Sequence, residues 1–321
     1  MSTEVCTEMY SLLNKIIKRY SAEGLLLSGG LDSSIIASIQ KPKYAFTVTL
    51  ENFGSDIKYS EEIAERFCSN HIKVKIKYQD LISIEEKIIK SFETFDPIFI
   101  RNSSVIYAAI QNAADLGVSS LLTGDGGDEL FAGYNYLKRY YKDPEKLDLE
   151  LKRLWEIMHF PSQTIGSYFN IKVYSPYLDS EFLEFAKSMN VTLKIGEYNN
   201  KTWGKFPLRL CLSKIEKMEK HSWREKEAQE EGSGFNHIEE YFNKNIDNNE
   251  FISKTRNVEQ EGVKIRNKEH LFYYTSFRKH YPRPNLLNPN FKLRCPDCHG
   301  PFTWSGRFCR LCGAFPVTPE Y

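Results

Sequence analysis

The chain has 321 residues, 41% of them hydrophobic, and a formal net charge of +1. This length suggests two compact units, and the near-neutral charge excludes nucleic-acid or membrane binding driven by a global field, so any basic contact surface must be local. No stretch reaches the roughly 18 consecutive apolar residues of a membrane span, and the opening "MSTEVCTEMYSLLNKIIKRY" lacks the small-residue cleavage site of a signal peptide; the expectation is a soluble, cytoplasmic protein without membrane contact.

Residues 1–20 read as an N-terminal helix. Short β-type runs then alternate with helical patterns: "GLLLS" before Asp32–Gln40, "YAFTVTL" before "SEEIAERFCSN", "IKVKI" before "LISIEEKIIKSF", and finally "SSLLTG". Such alternation predicts βαβ units and a parallel sheet. From Leu130 to about His280 the pattern is mostly helical, with breaks near Pro161, Pro176 and Pro207 and no obvious strand. The polar run "NKNIDNNEFISKTRNVEQEG" reads as a mobile loop. "YPRPNLLNPN", residues 281–290, is a proline- and asparagine-punctuated linker. The predicted fold class is α/β, with a parallel-sheet core, a mainly helical second half and a small C-terminal cysteine tail.

Two glycine turns each follow a strand, Ser28-Gly29-Gly30 and Gly124-Asp125-Gly126-Gly127. Ligands of such sheets bind outside the carboxyl ends of the strands, so both turns are expected on one face. A Ser/Gly loop between a strand and a helix offers backbone N–H groups and the positive end of a helix dipole to an anion. The nucleotide loops GxxxxGK[ST] and GxGxxG are both absent. "SGGLDSS" instead puts Asp32 at the helix start, where a carboxylate beside phosphate calls for a divalent cation, naturally Mg²⁺. The plainer alternative is a βα turn whose Asp and Ser act as caps.

This heptapeptide resembles the pyrophosphate loop of the ATP pyrophosphatase, or PP-loop, superfamily, and "LLTGDGGDELFAGY" (Leu121 to Tyr134) resembles the signature of the asparagine synthetase family. "ETFDPIFIRNS", "YSPYLDSEFLEFA", "WREKEAQEEGSGF" and "NKEHLFYYTSFRKHYP" follow in the order of that family, so the resemblance spans about residues 20–283. It implies a PP-loop, adenine-nucleotide-binding core over 21–135 and a helical part of the synthetase domain over 136–283; a linker over 284–293 and a small C-terminal zinc ribbon over 294–321, in which the chain departs from the family, are expected after it.

The resemblance further implies that Ser28, Gly29, Gly30, Asp32, Ser33, Ser34 and Gly124 hold the pyrophosphate of ATP, while Leu27 and Val48 meet the adenine, largely through backbone. Asp32 and Asp128 would share Mg²⁺. Asp125 would act as base or orienting group, Lys226 would lie near the reacting phosphate and carbonyl, and Arg101 near the pyrophosphate and the acid. These residue types suit the reaction, because a carboxylate attacking the α-phosphorus builds charge that Mg²⁺ and Lys or Arg must neutralise. The amine that follows must lose its proton, which is work for a carboxylate. The implied activity is that of a ligase that adenylates a carboxylate substrate, releases PPi and passes the acyl group to an amine.

Two departures stand out within this resemblance. The family opens with a glutaminase domain whose nucleophile is an N-terminal cysteine, whereas residue 2 here is serine; the expectation is that free ammonia, another amine or a separate amidotransferase supplies nitrogen. Cys6 reads as buried packing. Where the family carries threonines just before the arginine, this chain has Ile98, Phe99 and Ile100, which puts aspartate in doubt as the acid.

Seven cysteines do not form a secreted disulfide framework: Cys6, Cys68 and Cys211 are scattered, while "CPDCHGPFTWSGRFCRLCG" gathers four. Cys295, Cys298, Cys309 and Cys312 supply four thiolates in two CxxC turns, suited to a structural tetrahedral zinc with no open position. His299 is a minor alternative ligand. Lys292, Arg294, Arg307 and Arg310, with Phe302, Trp304 and Phe308, make this tail locally basic and aromatic, so it could contact RNA or dock on a protein. The alternative function is therefore a tRNA-modifying adenylating enzyme with the ribbon as its RNA-binding element.

Overall fold

A computed structural model describes residues 3–302 and 307–319; Trp304 lies outside the described residues. The first part of the chain runs through α1 (Thr3–Tyr20), β1 (Gly24–Leu26), α2 (Leu31–Gln40), β2 (Tyr44–Leu50), α3 (Asp56–Phe67), β3 (Asn70–Ile76), α4 (Tyr78–Phe92), α5 (Pro97–Asp115), β4 (Ser120–Leu122) and the single turn α6 (Gly127–Leu130). Then come α7 (Pro144–Ile157), α8 (Ser162–Tyr168), β5 (Lys172–Tyr174), α9 (Ser180–Ser188), β6 (Gly196–Tyr198), β7 (Lys201–Trp203), α10 (Phe206–Glu216), α11 (Glu219–Ser222) and α12 (Gln229–Gly232), followed by α13 (Ile238–Asn245), α14 (Asn248–Glu259) and α15 (Lys268–Arg278). The first four strands fall on the four runs read from the sequence.

Contacts divide the chain into two units, the first comprising residues 1–49, 54–74 and 106–233 and the second residues 50–53, 75–105 and 234–321. The five-stranded sheet has the order β3-β2-β1-β4-β5. Its registers are parallel, with Gly24 opposite Tyr44 and Leu121, and Ser120 opposite Lys172. In the first unit α1 turns Met9, Leu13, Ile16 and Ile17 inward against Ile35 and Ile36 of α2 and Leu208 and Leu212 of α10, all of them buried. This three-helix face withdraws one side of the sheet from water, the dominant favourable contribution to folding. Cys6 is buried here as expected, and it is joined to Cys211 of α10 as a disulfide with Cα atoms 5.3 Å apart.

In the second unit Phe95 lies at the centre of an aromatic core, its ring centroid 5.1 Å from those of Tyr274 and Phe277 and 5.4 Å from that of His270.

Two readings need correction. Strands do occur in the second half: β5 joins the main sheet, and β6 and β7 form an antiparallel pair. Each has three residues, too few for a period-2 pattern to stand out. The run read as a mobile loop, residues 243–262, holds the end of α13 and all of α14. Its polarity is that of an exposed helix. Asp247 caps α14 by accepting the N–H groups of Asn249 and Glu250 at 2.8 and 3.2 Å, and Lys254 pairs with Glu250 one turn earlier at 2.6 Å.

Candidate active site and metal centre

The strand order reverses at β1, which places a crevice at the carboxyl ends of β1 and β4. The two glycine turns follow these strands and meet. A Cβ on Gly124 would come within 3.0 Å of Asp32 Cβ, and one on Gly127 within 2.4 Å of Asp32 Oδ1. Only glycine admits this approach.

In the first turn Gly29 takes φ +67°, and a Cβ there would lie 2.5 Å from Ser60 N. Serine hydroxyls set the loop: Ser28 Oγ accepts the Gly30 N–H at 3.2 Å, Ser34 Oγ donates to Gly30 O at 2.7 Å, and Ser33 Oγ donates to the same carbonyl at 3.2 Å. The helix α2 starts directly after Gly30 with no side-chain cap, so its N-terminus suits an anion. Leu27 and Val48 are buried. Leu27 already donates its N–H to Phe46 O at 2.8 Å and accepts Thr47 Oγ1 at 2.6 Å, which limits backbone pairing with a base to the second lone pair of its carbonyl.

The second turn presents Asp125 and, on α6, Asp128. Lys205 Nζ contacts Asp32 Oδ2 and stands 2.8 Å from Asp128 Oδ1, while Lys226 Nζ is 3.3 Å from Asp128 Oδ2. Burial raises the Asp32 pKa above the ordinary carboxylate value despite Lys205. Burial also acts on Asp128, but Lys205 and Lys226 outweigh it and hold that carboxyl below its usual range. Burial would lower Lys205, yet the two carboxylates raise it. The cluster is thus two acids bridged by the Lys205 ammonium group, with the Lys226 ammonium on Asp128. Asp32 Oδ1 is buried without a hydrogen-bond partner, the kind of orphaned acceptor that a hard divalent cation satisfies, so the pair fits Mg²⁺.

Asp125 accepts the Ser162 hydroxyl at 2.5 Å, and burial raises its pKa, as a base requires. Arg101 belongs to the second unit. There its guanidinium forms a two-pronged pair with Glu269, at 2.8 and 2.6 Å, with Glu239 at 3.7 Å. Ile98, one turn earlier on α5, is 54% exposed, whereas Ile100 is fully buried.

Two residues of the site escaped the sequence reading. Lys205 stands at the head of α10, where a cation opposes the helix dipole unless acids compensate it, and no local sequence pattern marks the acids that do so. Arg224 lies in the same block as Lys226. Its Nη2 donates to Asp56 Oδ1 at 2.9 Å and Glu227 Oε2 at 2.8 Å, and its Nη1 reaches Ser28 O at 3.5 Å, tying that block to the first glycine turn.

The four tail cysteines come together, their sulfurs all within 4.8 Å of one another. Cys295 and Cys312 sulfurs are 3.8 Å apart and those of Cys298 and Cys309 3.9 Å. A tetrahedron with Zn–S bonds of about 2.3 Å has edges of about 3.8 Å, so the thiols fit zinc. His299 is exposed and is not among the grouped ligands. Of the basic and aromatic tail residues, Phe302 is buried and Arg294 donates to Leu287 O and Asn288 O at 2.9 and 3.1 Å.

Among the described residues no helix is long and apolar enough to cross a membrane. Residues 21–164 match the sequence model of the family described as asparagine synthase. Similar curated proteins are the glutamine-hydrolysing asparagine synthetase of Brassica oleracea, 28% identical over 84% of this chain and 50% of its own length, and asparagine synthetase 1 of Arabidopsis thaliana, with the same identity and shares. The chain thus spans about half the length of these relatives. A solved structure described as a predicted subunit of a tRNA methyltransferase from Methanocaldococcus jannaschii aligns over 64% of this chain and 93% of its own at 16% identity, with a TM-score of 0.27.

Proposed function

We propose that this chain is an ATP-dependent amide-forming ligase that adenylates a carboxylate, releases PPi and passes the acyl group to ammonia or another amine, releasing AMP. The observation that carries the reading is the meeting of Asp32 and Asp128 from two glycine turns at the sheet's switch point, with Lys205 and Lys226 on their oxygens. Bound Mg²⁺ would supply charge neutralisation on the phosphates. The chain's residues would do the rest. The Ser28–Ser34 loop and the head of α2 receive the leaving pyrophosphate, Lys226 and Lys205 offset charge developing on phosphoryl oxygens, and Asp125 accepts the proton of the incoming amine.

The acid is a separate question. By the resemblance, threonine hydroxyls just before Arg101 would hold a small polar acid, and this chain has the exposed Ile98 there instead, which favours an acid with an apolar flank over free aspartate. The test is ATP–PPi exchange against a panel of acids, beginning with aspartate, with Mg²⁺ and ammonium. Exchange with at least one acid, and AMP with PPi as the products, supports the reading. ADP and phosphate as the products would reject it.

A further inference from the structure

The two cysteine turns of the tail are bonded to two corners of the second unit, and the Cys309–Cys312 turn reaches both of them. The Cys309–Cys312 turn gives three successive carbonyls to its surroundings. Thr94 Oγ1 donates to Arg310 O at 2.8 Å, the Phe95 N–H to Leu311 O at 2.8 Å, and Arg266 Nη2 to Cys312 O. Gly313 follows with φ +75°, and a Cβ there would lie 2.4 Å from Asp96 Oδ1 and 3.2 Å from Arg266 Nη2. The Cys295–Cys298 turn serves the other corner: the Lys264 N–H donates to Asp297 O at 2.8 Å, and a Cβ on Gly262 would come within 2.8 Å of the His299 ring.

These corners are the entrances to two helices. Residues 94–96 lead into α5, which carries Arg101, and residues 262–266 lead into α15, which carries Glu269. The Arg101–Glu269 pair, at 2.6 and 2.8 Å, is therefore bracketed by two corners whose backbone partners sit on the two halves of one four-thiol cluster. Four thiolates on one metal cross-link those halves rigidly, and the bonds around such a cluster fix what it touches.

We propose that zinc in this cluster is a cross-link between the entrances of α5 and α15, and that the tail works as a positioning element for the Arg101–Glu269 pair. The metal ties the Asp297 carbonyl on the second corner to the Arg310 and Leu311 carbonyls on the first, alongside the direct bond from Arg266 to Cys312 O. This assignment concerns the second unit alone and holds whether or not the chain adenylates a carboxylate.

The experiment is hydrogen–deuterium exchange on the full chain, read by mass spectrometry, beside zinc content by elemental analysis. Removing zinc with a chelator should speed exchange of the Phe95 and Lys264 amides, and of the first turns of α5 and α15, by at least about tenfold, and one equivalent of zinc or cadmium should restore protection. Gly313→Ala separates metal from docking. It should retain one zinc per chain yet lose protection at Phe95 while keeping it at Lys264. Thr94→Val, which removes only the hydroxyl bond to Arg310 O, should show the same change in smaller degree. Unchanged protection at Phe95 and Lys264 after zinc removal would overturn the proposal. So would loss spread evenly over α4, α13 and α14, since the metal would then support the unit's folding as a whole.

Discussion

Lys205 Nζ stands 2.8 Å from Asp128 Oδ1, and the same lysine heads a helix with φ +54°. Both features are unfavourable in isolation. A cation at a helix N-terminus opposes the dipole, and a non-glycine residue in the left-handed region costs on the order of 1 kcal/mol. The position persists because the Lys205 N–H is fixed to Phe131 O at 2.7 Å, just beyond the turn that carries Asp128. Gly204 lies so close to Ala132 O that a Cβ would come within 1.9 Å of it.

Lys205→Met should therefore lower PPi release by about 10²- to 10³-fold, the range for removing one preorganised charge-stabilising donor. Lys205→Arg should not rescue it, because a planar guanidinium does not substitute for a compact ammonium between two carboxylates. PPi release assayed at saturating ATP checks both variants; wild-type rates in either contradict the role.

The acid pair predicts a metal phenotype. Asp128→Asn leaves Lys205 and Lys226 in place but removes one of the two carboxylates suited to the cation, so the Mg²⁺ concentration for half-maximal turnover should rise and kcat should fall. Asp32→Ala, which also removes the orphaned Oδ1, should abolish turnover. A Mg²⁺ titration of each variant measures this, and unaltered Mg²⁺ dependence in both would remove the pair from the site.

Burial, only partly offset by Arg224, raises Asp56 from its ordinary 3.8 to about 6. A carboxyl with a folded pKa above its unfolded one adds stability that is fully present below pH 3.8 and is lost as pH rises through about 6. Relative to Asp56→Asn, the wild-type protein should lose on the order of 2 kcal/mol between pH 4 and pH 7. Urea unfolding at both pH values gives the difference; a flat or rising one would contradict the shift.

Much of the crevice between the two glycine turns was legible because its signals are local. Gly29 and Gly124 mark turns by their type, Asp32 stands two residues after a glycine turn, and Tyr44–Leu50 is a long β-branched and aromatic run. Lys205 was not legible, because its meaning depends on Asp128 lying 77 positions earlier in the chain, and no local pattern records that proximity. The three-residue strands β5, β6 and β7 are held by partners rather than by propensity. Exposed α14 shows no apolar stripe, so its polarity reads as a loop although Asp247 caps it. Cys6 and Cys211 show the same limit, since only the packing of α1 on α10 brings them together.

Arg101 poses the sharpest test, because a role in packing and a role with substrate predict different double variants. Glu269 is fully buried and both of its oxygens are bonded to Arg101. Arg101→Leu strands that carboxylate and should cost about 3–5 kcal/mol. Replacing both residues by leucine removes the stranded charge and should recover most of the stability. Glu85 provides a control in the same core: burial pushes its pKa well up, and Tyr273 donates to its Oε1 at 2.7 Å. Glu85→Gln keeps that acceptor and should change stability by less than about 1 kcal/mol. If Arg101 meets the acid or the pyrophosphate, the double variant folds but remains defective in ATP–PPi exchange, with KM for the acid raised more than KM for ATP. Full exchange activity in the refolded double variant would assign Arg101 to packing alone.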